Sequence, residues 1–91
     1  MQFEWDDNKA KENLRKHKVS FSEASTVFED RLSVTFPDED HSLYENRYII
    51  IGNSRKYRLL IVFFTERNNH IRLISARKAN LKESRKYEKE K

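Results

Sequence analysis

The sequence predicts an α+β fold: two N-terminal helices, an antiparallel four-stranded sheet and a C-terminal helix. Three observations carry that expectation. Ser20-Phe21-Ser22-Glu23 is a capping box that opens an apolar stripe at helical spacing. From Leu32 onward the apolar period falls to two. Leu59-Leu60-Ile61-Val62-Phe63-Phe64 is apolar at every position, as in a strand buried on both faces.

Taken in order, Phe3-Glu4-Trp5 alternates like a short edge strand added to that sheet. Asp6-Asp7-Asn8 supplies capping residues for a helix over 9–17, with Ala10, Leu14 and His17 on its apolar side. The second helix carries Phe21, Ala24, Val27 and Phe28 inward and ends near Glu29-Asp30, with Val19 and Ala24 placed for a hydrophobic staple. Leu32, Val34 and Phe36 form the first strand, stopped by Pro37, which cannot donate to a ladder. The acidic loop 38–42 reads as solvated, or as a repulsive edge. Strands follow over 47–51, 59–65 and 71–76, with Gly52-Asn53-Ser54 as a turn and Glu66-Arg67-Asn68-Asn69 as a hairpin connection. Asn80 caps the last helix with Glu83 at its N3 position, and the apolar side there is thin: Leu81, Ser84 and Tyr87. The two N-terminal helices can cover one sheet face. The last helix has too little apolar surface for the other, so that face expects strong curvature or a second chain.

Composition narrows the chemistry. The 91 residues amount to one domain and include one Gly, one Pro and no Cys. Glycine-rich phosphate loops, disulfide frameworks, thiolate zinc sites and cysteine nucleophiles are thereby excluded. Leu, Ile, Val and Phe make up about a quarter of the chain, enough for a small core. No apolar run approaches the roughly 20 residues of a membrane span, and the acidic N-terminus is unlike a signal peptide, so a cytoplasmic protein is expected. Residues 1–45 hold six Lys/Arg against eleven Asp/Glu, a net of −5; residues 46–91 hold thirteen against four, a net of +9. A basic half of that size suits a polyanion.

The basic half offers the candidate site. Strict alternation puts Arg72, Ile74 and Ala76 on one face of the last strand, and Ile71, Leu73, Ser75 and Arg77 on the other. Arg47 and Arg58 open neighbouring strands, and Lys78 follows Arg77. Arginine grips phosphate bidentately and can stabilise charge on a pentavalent phosphate. The competing reading is that each arginine pairs with Glu45, Glu66 or Glu83. Glu66 suits a general base or an ion-pair partner. Tyr87 suits base stacking, proton delivery or simple anchoring of its helix. Tyr48 and Tyr57 lie beside the basic strands, where they either stack on bases or pack across strands. His17, His41 and His70 show no metal-ligand spacing, and Asp38-Glu39-Asp40-His41 lacks the layout of a calcium loop, so no metal or other cofactor is expected.

Along the chain, Phe3-Glu4-Trp5-Asp6, Asn8-Lys9, Asn13-Leu14 and Lys16-His17 resemble the opening of the BrnT toxins. Ser20-Phe21, Glu23-Ala24, Val27-Phe28, Phe36-Pro37-Asp38, Asp40-His41-Ser42, Glu45, Arg47-Tyr48, Ile51-Gly52 and Thr65-Glu66-Arg67 continue the likeness. Ile71 to Ala79, with the later Glu83 and Tyr87-Glu88, complete it. Lys18 stands where a glycine is common in that family. The resemblance implies a single toxin domain over 1–91 with a RelE/ParE-like fold. It also implies a metal-independent endoribonuclease that blocks translation and growth by cleaving RNA. The cleavage-face positions it suggests are Arg47, Glu66, Arg72, Arg77, Lys78 and Tyr87; together with the reading of the basic strands, Arg72, Arg77, Lys78, Glu66 and Tyr87 are expected to be catalytic and Arg47, Arg58 and Tyr48 to bind RNA. The implied partner is a BrnA-like antitoxin with a ribbon-helix-helix type DNA-binding domain. Operator DNA would be reached only through that antitoxin, and the open sheet face would take the antitoxin or a second toxin, with no membrane involved. Two other readings of the basic half stay open: a non-catalytic module that holds nucleic acid or an acidic protein, and a gyrase-directed toxin of ParE-like type.

Overall fold

The computed structural model describes residues 1–41 and 46–89. Ser42, Tyr44 and Glu45, the last a candidate arginine partner, lie outside the described residues. Five strands and three helices follow in the order β1 (Gln2–Glu4), α1 (Asp7–His17), α2 (Phe21–Thr26), β2 (Val34–Pro37), β3 (Arg47–Asn53), β4 (Leu59–Arg67), β5 (His70–Lys78) and α3 (Leu81–Lys89). The sheet order is β1-β5-β4-β3-β2. The antiparallel expectation holds for β2 through β5, but β1 pairs with β5 in parallel, so the sheet is five-stranded and mixed. Burial favours that docking. Phe3 lies opposite Ile71 and packs edge-on against Phe28, with ring centroids 5.1 Å apart.

Local chemistry sets the helix ends. The Lys9 backbone N–H donates to Asp6 Oδ2 at 3.1 Å, making Asp6 the N-cap of α1. The capping box of α2 forms only half-way: the Glu23 N–H donates to Ser20 Oγ at 3.0 Å, while the Glu23 carboxylate turns inward to other partners. After Thr26 the chain tightens into a 3-10 turn, Val27–Glu29, so the second helical region is a hybrid. Lys18 ends α1 in the left-handed region at φ 60, and its N–H donates to the Leu14 carbonyl. The β4–β5 hairpin is tighter than expected. Its loop is Asn68-Asn69, both at positive φ, as a two-residue turn requires.

Two apolar clusters flank the sheet. The larger lies under α1 and α2 and includes Val19, Phe21, Ala24, Val27, Ile50, Leu60, Val62 and Phe64. The smaller lies under α3 around Ile51, Ile61 and Tyr87. α3 therefore covers part of the second face, while Ile49 and Phe63 stay only partly buried beyond it. The inward side of α1 differs from expectation: Leu14 is half-exposed and His17 exposed, and the buried residue is Asn13. Leu32 lies outside the sheet and is exposed, because pairing begins at Val34.

Candidate functional site

β5 contains one extra residue. Phe64 pairs with Leu73 and Phe63 with Ser75, so Ile74 has no opposite number in β4. A bulge of this kind shifts every later side chain to the other face. Ala76 consequently joins Ile71 and Leu73 in the helix-side core, and Arg77 joins Arg72 on the α3 side. That corrects the expected faces of β5. In a regular strand two residues five apart point to opposite faces; here their partners, Thr65 and Ile61, share a face of β4.

Arg77 is held tightly. Its Nη1 and Nη2 donate to the two oxygens of Glu83, each at 2.8 Å, and its guanidinium lies 5.9 Å from the centre of the Phe63 ring. Burial pushes the Glu83 carboxyl up, but Arg77 and the Asn80 N–H outweigh this and hold it below the usual carboxylate range. Glu83 also completes a capping box. Its Oε1 accepts from the Asn80 N–H at 2.9 Å, and its own N–H donates to Asn80 Oδ1 at 2.8 Å. Four residues on, Tyr87 is buried against Ile51 and Ile61 and donates to Asp30 Oδ2 at 2.7 Å. Burial and the Asp30 carboxylate both raise its pKa.

Toward the far end of the same face, Arg47, Thr65 and Arg72 stand side by side across β3, β4 and β5, with Glu4 of β1 next to Arg72. Thr65 is 1% exposed, and its hydroxyl makes no hydrogen bond among the described residues. Arg72 is half-buried, and its guanidinium makes no hydrogen bond or ion pair among the described residues. Arg47 Nε lies 3.9 Å from the buried Asp38 carboxylate, so Asp38 is not a solvated loop residue. Along α3, Lys82, Arg85, Lys86 and Lys89 follow one another at helical spacing as a basic stripe, with Lys86 Nζ 4.1 Å above the Phe36 ring.

Of the eight residues singled out in the sequence, Arg47, Arg72, Arg77 and Tyr87 share this face. The other four do not join them. Glu66 lies opposite Ile71 and Lys78 opposite Leu60, both partners belonging to the helix-side core, and each of the two is exposed. Tyr48 stacks on Phe64, ring centroids 5.6 Å apart, within that same cluster. Arg58 is tied into the helix layer. Its Nε donates to Glu23 Oε2 at 2.9 Å, a terminal nitrogen bonds the other Glu23 oxygen, and another bond reaches the Lys18 carbonyl at 3.0 Å. The arginine hydrogen bond is the main reason the Glu23 carboxyl sits below its ordinary pKa, against the opposing effect of burial. The ion-pair reading thus holds for Arg47, Arg58 and Arg77, though Arg47 takes Asp38 and Arg58 takes Glu23 rather than a named candidate.

The sequence reading missed Asp30 as an organiser. Its Oδ2 accepts from Tyr87 and from the Asn53 N–H at 2.8 Å, and its Oδ1 from the Leu32 N–H at 3.0 Å. A lone aspartate after a helix gives no sequence signal of such partners. Lys86 was legible only as part of a charged helix surface.

A two-helix layer on a mixed sheet whose other face presents arginines beside a short C-terminal helix defines a small α+β protein with one basic face. The family model described as ribonuclease toxin, BrnT, of type II toxin-antitoxin systems matches residues 5–83, and the chain belongs to this family. Among solved structures, the crystal structure of the Brucella abortus ribonuclease toxin BrnT is similar. It aligns with a TM-score of 0.69 at 23% identity, covering 88% of this chain and 97% of that one, a likeness of fold. A search of curated protein sequences found no match. Among the described residues no helix is long and apolar enough to cross a membrane.

Proposed function

We propose that this single toxin domain is a metal-independent endoribonuclease of RelE/ParE-like type that arrests translation and growth by cutting RNA. The carrying observation is the β5 bulge, which sets Arg72 and Arg77 on one face around Phe63. In the proposed reaction the ribose 2′-oxygen attacks the adjacent phosphorus and the bond to the 5′-oxygen breaks. The 2′-hydroxyl loses its proton and the departing oxygen gains one, leaving a 2′,3′-cyclic phosphate and a 5′-hydroxyl. Arg72 and Arg77 hold the phosphate and stabilise its pentavalent charge. Arg47 and the basic stripe of α3 draw the RNA backbone to the face. Tyr87 serves as the anchor of α3, since its hydroxyl is committed to Asp30. Glu66, Lys78, Arg58 and Tyr48 have no part at the phosphate, because they emerge on the other side of the sheet. A BrnA-like antitoxin occupies the partly covered face in the neutralised complex, a second toxin being the alternative occupant, and operator DNA is contacted through that antitoxin.

The test is incubation of purified toxin with RNA, reading fragment ends. Cyclic phosphate ends from the wild type are expected. Arg72→Ala and Arg77→Ala should each lose about 100-fold or more in cleavage rate with unchanged circular dichroism. Intact RNA with bound toxin would instead mark a binding module.

A further inference from the structure

We propose that Glu83 is the positioning residue of Arg77. This inference rests on the reading of Arg77 as a phosphate ligand. A guanidinium is planar and has two bidentate edges: one spans both terminal nitrogens, and the other pairs Nε with one terminal nitrogen. Glu83 occupies the first, with both bonds at 2.8 Å. Among the described residues no acceptor meets Arg77 Nε, so the second edge is left to a phosphate. The carboxylate therefore leaves the phosphate-binding edge free while it fixes the plane of the group.

Burial and capping make this clamp rigid. The Glu83 side chain is 17% exposed and that of Arg77 36%. Glu83 cannot swing away freely, because the same carboxylate also accepts from the Asn80 backbone N–H. Phe63 backs the arginine from the sheet. The start of α3 thus sets the direction of an arginine on β5, and a long side chain that would otherwise sample many rotamers is presented in one.

The experiment compares wild type, Glu83→Gln, Asn80→Ala and Arg77→Ala in steady-state cleavage of a short RNA oligonucleotide, with thermal midpoints measured in parallel. Gln keeps the length and one acceptor for the Asn80 N–H but loses the fork. Glu83→Gln should lower kcat about 10- to 100-fold, with KM unchanged or lower, because a carboxylate no longer offsets the Arg77 charge in ground-state binding. Asn80→Ala removes half of the cap without touching Arg77. It should lower the midpoint while kcat stays within about 2-fold. A wild-type or higher kcat for Glu83→Gln would overturn the inference, the higher value identifying Glu83 as a competitor of the phosphate. Equal losses in Glu83→Gln and Asn80→Ala would also overturn it, since fraying of α3 would then be the cause. Uncut RNA with the wild type, or full activity in Arg77→Ala, strikes the underlying reading itself and removes this inference with it.

Discussion

The side chain of Asn13 pairs with the backbone of Ala76 as a neighbouring strand would. Its Oδ1 accepts from the Ala76 N–H at 3.0 Å and its Nδ2 donates to the Ala76 carbonyl at 2.8 Å. Nδ2 also donates to the Val19 carbonyl at 2.9 Å. β1 pairs with β5 only as far as Arg72, so an amide on α1 takes over the edge just after the bulge and just before Arg77. Removing that amide leaves buried backbone groups without partners. Asn13→Ala is expected to cost about 2–4 kcal/mol, lowering the thermal midpoint by roughly 10–20 °C. Differential scanning calorimetry checks this; a change of only a degree or two would show that water replaces the amide without loss.

Lys18 offers the opposite case. It occupies the left-handed region at φ 60 as the C-cap of α1, a conformation that costs a side-chain-bearing residue and suits glycine. Its ammonium also donates to the Arg15 carbonyl at 3.1 Å, an exposed bond of little weight. Lys18→Gly is expected to stabilise the protein by about 0.5–1 kcal/mol, seen as a higher urea midpoint with an unchanged slope.

Acid should destabilise the protein through Glu23. The carboxylate accepts from Ser54 Oγ at 2.7 Å and from Arg58, and its folded pKa lies below the ordinary value. A depressed folded pKa means stability that is complete above the unfolded value of about 4.3 and is lost as pH falls through the folded one. Glu83 contributes in the same direction. Glu23→Gln should cost about 2–3 kcal/mol at neutral pH and flatten, without abolishing, the fall in thermal midpoint between neutral pH and pH 3. A parallel fall in variant and wild type would place the acid-sensitive groups elsewhere.

Tyr87 separates anchoring from chemistry. Tyr87→Phe keeps the ring packed on Ile51 and Ile61 and removes the bond to Asp30. About 1–2 kcal/mol of stability should be lost, while the rate of RNA cleavage stays within about 3-fold of wild type. A loss of 100-fold or more at retained fold would return Tyr87 to the reaction.

Much of the fold was legible because its signals are local. The Asp6, Ser20 and Asn80 caps, the alternation of β2, the apolar run of β4 and the paired asparagines of the hairpin each follow from a few neighbouring residues. The candidate site was half legible. Arg47, Arg72, Arg77 and Tyr87 meet on one face, but Glu66, Lys78, Arg58 and Tyr48 leave it, since the face of a strand residue depends on which partner lies across from it. Asn13 falls outside the Ala10, Leu14 and His17 stripe, and nothing local shows that a strand edge waits beside it.

By itself the sequence determined the element types, the basic C-terminal half and the family. The tertiary structure decided where the charges act. One unpaired residue, Ile74, turns Arg77 to the side of Arg72, and Glu83 then holds it there. A period-two pattern records the pleat of an isolated strand; a bulge arises from the register between two strands, which no single segment encodes.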